Sequence, residues 1–91
     1  MNIQELINNR STTIVDVRTE AEFLEANVKG SINIPLHEFN DRVAELKEMQ
    51  PLVLCCLSGG RSGQATEFLK KQGCDQVYNG GGWAMVDAQK I

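Results

Sequence analysis

One string in the sequence brings together residue types that can do chemistry: Cys56-Leu57-Ser58-Gly59-Gly60-Arg61-Ser62. It follows the apolar run Leu52-Val53-Leu54-Cys55-Cys56 and precedes a stretch with helical periodicity. The order is therefore strand, cysteine, small-residue loop, arginine, helix. Glycines allow backbone conformations that other residues avoid, so the loop can wrap tightly. A tight wrap aims successive N–H groups at one point and forms an anion nest. The following helix adds the positive end of its dipole. A thiol held there is expected to ionise below the ~8.5 of a free cysteine. Arg61 adds a fixed charge and a planar fork suited to an oxyanion. A structural strand end gains nothing from such a nest, so Cys56 reads as a working thiol. Ser58 and Ser62 can donate hydroxyl bonds, and Ser62 is more simply read as the cap of the next helix.

The other candidates for chemistry are weaker. Strand alternation points Cys55 away from Cys56. Cys74 lies just past Gly73 and reads as partly exposed or packed under a loop. Three cysteines make no disulfide framework, and no Cys-x-x-Cys pair is present for zinc or dithiol redox work. His37 is the only histidine, so neither a metal site nor any cofactor is expected. As a general base His37 competes with its reading as a solvated surface residue. Gly59-Gly60-Arg61-Ser62 lacks the lysine and leading glycine of a P-loop. Gly80–Gly82 lacks the spacing of a dinucleotide fingerprint.

The elements that must position this loop follow from periodicity. Ile3–Asn9 reads as a short helix. Thr13-Ile14-Val15-Asp16-Val17 reads as a buried strand. Thr19 and Glu22 have capping-box spacing and open a short helix to about Glu25. Ser31-Ile32-Asn33-Ile34 reads as a second strand, ended by Pro35. Leu36, Phe39, Val43 and Leu46 put one apolar stripe on a helix over Leu36–Met49. Leu52–Cys56 is continuously apolar, as a strand buried on both faces is. Ser62–Gln72 is helical with Gly73 as its cap. Gln76–Asn79 reads as a last strand, followed by three glycines and a short apolar segment around Trp83. Alternating strands and helices predict an α/β fold with three α/β/α layers and a four- to five-stranded parallel sheet. Ligands of such sheets bind beyond the carboxyl ends of the strands. Cys56–Arg61 and Gly80–Gly82 both fall at such ends.

Composition bounds the partners. Ninety-one residues hold one core, so residues 1–91 are expected to form one domain. The net charge of −3 argues against nucleic acid. Residues 1–49 carry nine acids against five bases, whereas residues 50–91 carry three against four. The half that contains the loop is thus the better host for a small anion. No apolar run approaches the ~20 residues of a membrane span, and Met1-Asn2-Ile3-Gln4-Glu5 lacks a signal-type start. The expectation is a cytoplasmic protein without membrane contact. Nothing marks a large exposed apolar patch, so a monomer is expected.

The whole pattern resembles the single-domain rhodaneses, which are sulfurtransferases. Asp16-Val17-Arg18 with Glu22-Phe23, then Gly30-Ser31-Ile32-Asn33-Ile34-Pro35, are similar to the family's opening motifs. The loop from Cys56 to Arg61 is similar to its active-site loop, and Val77–Trp83 to its terminal Gly-Gly segment. Ala26-Asn27-Val28 stand where the family usually has Gly-His-Ile. Trp83 directly follows the glycines, instead of lying a few residues later. The resemblance implies a double displacement. The Cys56 thiolate takes the sulfane sulfur of a donor such as thiosulfate, and the persulfide yields it to cyanide or a thiol. Cys56 and Arg61 would be catalytic, with Arg61 orienting the donor's sulfonate. Leu57, Ser58, Gly59, Gly60 and Ser62 would hold the substrate. Asp16 and Arg18 would support the site or form a structural pair. Gly81 and Trp83 would line the pocket, although a core position suits Trp83 as well, and Glu22 would be structural. The implied partners are a small anionic donor and a thiol or cyanide acceptor, with a thiol protein as a further candidate. A persulfide carrier serving a partner protein is the alternative, and a cysteine-dependent phosphatase or arsenate-reductase-like enzyme the less favoured one. Cysteine phosphatases and arsenate reductases of similar fold have five residues between cysteine and arginine. Four separate Cys56 from Arg61, which makes a smaller cradle.

Overall fold

The computed structural model describes residues 2–91, and its centre is the strand that ends at Cys56. In chain order the elements are α1 (Ile3–Ile7), β1 (Thr13–Asp16), α2 (Glu20–Glu25), β2 (Ile32–Asn33), a 3-10 helix (Leu36–Asp41), α3 (Val43–Glu48), β3 (Leu52–Cys56), α4 (Gly60–Lys71), β4 (Val77–Gly82) and α5 (Trp83–Gln89). The four strands form one parallel sheet in the order β2-β1-β3-β4. Every residue of β3 is buried, because β1 and β4 flank it and helices cover both faces.

Alternation divides β3 between two cores. Leu52, Leu54 and Cys56 pack with Phe39, Leu46 and Leu69, from the layer of the 3-10 helix, α3 and α4. Val53 and Cys55 pack with Leu6, Ile7 and Val86, from the layer of α1 and α5. Each fully buried aliphatic side chain contributes about 1.5–3 kcal/mol, so both layers are held mainly by the central strands. This is the predicted α/β/α arrangement, with four strands.

Three local expectations are corrected. The stripe from Leu36 to Leu46 is carried by two helices, broken at Arg42, whose φ of −122° leaves the helical range. A three-residue step from Leu36 to Phe39 suits a 3-10 turn as well as an α-helix. Asn40 and Asp41 compete for the backbone and weaken a continuous α-helix there. The last strand also does not stop at Asn79 but runs through the glycines to Gly82. The register shifts between Leu54 and Cys55, which face Asn79 and Gly81, and Gly80 is the extra residue of a bulge. A Cβ on Gly80 would sit 2.7 Å from Val53 Cγ1 and 2.9 Å from Val86 Cγ2, so only glycine fits. Finally, Ser62 does not cap α4. Gly59 does, with a φ of +102° that lets the helix begin at Gly60. Of the two readings of Cys74 the structure has the buried one.

Candidate active site

Cys56 is the last residue of β3, and the chain turns around its sulfur before entering α4. The Gly59 N–H donates to Cys56 Sγ at 3.0 Å, and the Ser62 hydroxyl lies 3.4 Å from it. Burial pushes the thiol up, but the Ser62 hydroxyl and the N–H groups of Ser62, Gly59 and Ser58 outweigh it. The net effect holds the Cys56 pKa below its ordinary value. This is the nest expected from the loop: the donors around the sulfur favour its thiolate form. Cys55 shows the opposite balance. It is enclosed on the other face, and burial, followed by the nearby Asp16 carboxylate, pushes its thiol up to about 12.

Two residues that the sequence left without a site role complete the loop. The Ser62 hydroxyl has one proton and two acceptors in reach, Asn79 Oδ1 at 2.7 Å and Cys56 Sγ at 3.4 Å, and the Gly81 N–H donates to the same amide oxygen at 3.0 Å. Asn79 Nδ2 donates to the Gly59 carbonyl at 3.2 Å. Asn79 thereby ties the loop to β4 and holds the Ser62 hydroxyl within reach of sulfur. Its only sequence signal is a polar residue at a strand end before a glycine run. The second residue is Glu22. Arg61 Nη1 donates to Glu22 Oε1 at 2.7 Å and Nη2 donates to Oε2 at 3.0 Å. The Arg61 guanidinium, then the Thr19 N–H, hold the Glu22 carboxyl down at about 2. The fork that sequence reasoning aimed at a donor's sulfonate is thus engaged by a carboxylate.

The remaining candidates fall into two groups. Gly82 meets the loop most closely, since a Cβ there would lie 2.7 Å from the Leu57 carbonyl oxygen. Gly81 supplies a positive φ of +86° and the N–H that fixes Asn79. Leu57 projects outward and is 63% exposed. Gly60, the first residue of α4, has open space where a Cβ would stand. Asp16, Arg18 and Trp83 belong together on the other face. Arg18 grips both carboxylate oxygens of Asp16 at 2.6–2.9 Å and donates to the Ala26 carbonyl at 2.7 Å. Its guanidinium lies 5.0 Å above the Trp83 ring. Asp16 stands opposite Cys55 in the sheet, and both members of the pair are buried. The geometry is that of a tie between the end of β1, the segment after α2 and the start of α5. His37 is exposed, 3.8 Å from Glu38.

A four-stranded parallel sheet with a cysteine nest at the carboxyl end of its central strand defines a class of protein, and sequence comparison assigns the family. The model of the rhodanese-like domain matches residues 2–87, and the chain belongs to that family. It is 34% identical over 79 residues to thiosulfate sulfurtransferase PspE of Escherichia coli, covering 85% of this chain and 76% of PspE. It is 38% identical over 76 residues to the Bacillus subtilis protein named "Putative sulfur carrier protein YrkF", covering 84% of this chain and 41% of YrkF. The chain spans about half the length of the curated relatives it matches at 37% and 38% identity. Among solved structures it is similar to a rhodanese with anions from E. coli, with a TM-score of 0.73 and 34% identity over 81% of this chain and 89% of that one. The chain's relatives include proteins named as sulfurtransferases. No helix among the described residues is long and apolar enough to cross a membrane.

Proposed function

We propose that residues 1–91 act as one sulfurtransferase unit in which Cys56 carries the sulfur as a persulfide. The observation that carries this reading is the Gly59 N–H donated to Cys56 Sγ at 3.0 Å, with the Ser62 hydroxyl 3.4 Å from the same sulfur, at the turn from β3 into α4. The Cys56 thiolate attacks the outer sulfur of a donor such as thiosulfate. A new S–S bond forms, the donor's S–S bond breaks, and sulfite leaves with the electron pair. The nest then stabilises the negative charge on the persulfide. An acceptor nucleophile, cyanide or a thiolate, attacks the outer sulfur and displaces the Cys56 thiolate. No separate base is required in this reading, because the donors around the sulfur favour the thiolate. Arg61 supplies the fixed cation at the end of the loop and, through Glu22, anchors the loop to α2. Acceptors in the cytoplasm would be small thiols or a thiol protein.

A second reading shares the same persulfide: the unit carries sulfur to a partner protein rather than to a small molecule. The similarity to a relative named for sulfur carriage favours keeping it. Intact mass after incubation with thiosulfate tests the common step. One added sulfur atom, removed by cyanide and absent in Cys56→Ser, is expected. Absence of any adduct with every sulfane donor overturns both readings. Faster transfer to a thiol protein than to cyanide or small thiols selects the carrier.

A further inference from the structure

We propose that Asn79 is a positioning residue that balances the two halves of sulfur transfer, by competing with the Cys56 sulfur for the single proton of Ser62. This rests on the persulfide reading of Cys56. Ser62 is fully buried, so the acceptors around its hydroxyl decide where the proton points. Asn79 Oδ1 stands at 2.7 Å and Cys56 Sγ at 3.4 Å, and one proton cannot serve both in full. The amide oxygen is fixed in this contest. It accepts the Gly81 N–H at 3.0 Å, while Asn79 Nδ2 donates to the Gly59 carbonyl at 3.2 Å. A flipped amide would set its NH2 group against the Gly81 N–H. Asn79 itself is exposed on the edge strand β4, so its side chain is not there to fill the core.

The charge on the Cys56 sulfur comes and goes during transfer. In loading, Sγ is a thiolate that attacks the donor's outer sulfur, and the leaving group departs with the electron pair of the broken S–S bond. In the persulfide the negative charge lies on the outer sulfur, and Sγ is a neutral divalent atom and a weak acceptor. The Ser62 proton then belongs to Asn79. In unloading, the acceptor takes the outer sulfur, and the electron pair of the S–S bond returns to Sγ. A full hydrogen bond from Ser62 makes Sγ a better leaving group and a weaker nucleophile. The reason is that a less basic thiolate leaves faster and attacks more slowly. By drawing the proton away, Asn79 keeps the thiolate basic enough to attack the donor. The same competition slows unloading. Asn79 is thus set between the two half-reactions, not for either one alone.

The test measures the pH midpoint of Cys56 alkylation and the single-turnover rates of loading by thiosulfate and unloading by cyanide. Asn79→Leu keeps the shape of the side chain and removes its acceptor. It should lower the midpoint by about one pH unit, the effect of one hydrogen bond to a charged sulfur. At a pH above both midpoints it should load about threefold more slowly than the wild type and unload faster. Asn79→Asp keeps an acceptor and adds charge, so it should raise the midpoint. Both variants lose the tie to the Gly59 carbonyl. A midpoint that is raised or unmoved in Asn79→Leu would therefore leave Asn79 a loop tie only, and overturn the proposal. In a Ser62→Ala background Asn79→Leu should add no shift, because no proton is left to contest; an undiminished shift there overturns the proposal too. Absence of added sulfur on wild-type Cys56 by intact mass overturns instead the persulfide reading beneath it, whereas the midpoints need no sulfur donor and test the proton contest by themselves.

Discussion

Cys55 and Cys56 are neighbours in one strand, both almost without solvent exposure, and their thiols are driven in opposite directions. Burial acts on both. The difference lies in what the chain does next. On the face of Cys56 the loop returns over the sulfur and presents hydrogen-bond donors. On the face of Cys55 the nearest charges are the closed Asp16–Arg18 pair, and aliphatic side chains fill the rest. One face of the sheet end is thus organised around an anion and the other around a neutral packed layer. The difference between the two thiols belongs to the backbone turn after the strand, not to the residue type in it.

The largest expected contrast is chemical. Cys56→Ser should abolish the thiosulfate-derived adduct, whereas Cys55→Ser should retain it, as should Cys74→Ser. Loss of the adduct in Cys55→Ser would reverse the assignment of the two faces. The next contrast is in stability, and it runs the other way. Arg18→Ala leaves the Asp16 carboxylate buried without its partner, and removing one member of a buried pair costs about 3–5 kcal/mol. Arg61→Ala breaks a pair whose side chains are 36% and 32% exposed, and such pairs contribute below about 1 kcal/mol. Denaturant melts of the two variants check this. If the losses were equal, the Asp16–Arg18 pair would not be the structural one.

A finer contrast concerns the thiolate itself. In Ser62→Ala the hydroxyl that lowers the Cys56 pKa is gone, while the burial that raises it remains. The midpoint of Cys56 alkylation by iodoacetamide should therefore move to higher pH. The thiolate is populated above its pKa, so the variant should react more slowly near neutrality and catch up in alkali. Asn79→Ala should move the midpoint the other way, to lower pH, because the Ser62 hydroxyl loses its competing acceptor and its one proton turns to the sulfur. An unmoved midpoint in Ser62→Ala would leave the backbone N–H groups as the whole nest.

What was legible in the sequence was local. The nest could be read because its cysteine, glycines and arginine lie within six residues, and the Thr19–Glu22 box because its partners are three apart. Face assignment in β3 needed only alternation. The ties that finish the site join residues far apart in the chain: Arg61 to Glu22 across 39 positions, and Ser62 to Asn79 across 17. No local pattern announces such a pair, so Arg61 looked free and Asn79 looked incidental. The glycine run was misjudged for a related reason. Its need for glycine comes from Val53, Val86 and the Leu57 carbonyl pressing on it, which is a property of packing. The stripe from Leu36 to Leu46 failed differently, since a 3-10 turn and an α-helix satisfy the same spacing over three residues.

The smallest expected effect separates the two ion pairs by acid. Glu22 is held at about 2 against an ordinary 4.5, first by Arg61 and then by the Thr19 N–H. A carboxylate with a depressed folded-state pKa contributes stability that is present above the unfolded value and lost as pH falls through the folded one. The contribution of Glu22 should therefore be complete above about pH 4.5 and fade toward pH 2. Partial exposure of the pair keeps it modest. Melting temperature followed from pH 6 to 2 should fall less steeply in Glu22→Gln than in the wild type, because the amide does not titrate. Parallel curves would mean that the acid limb belongs to other carboxylates, and that the Glu22–Arg61 tie governs the charge at the loop without helping to hold the fold.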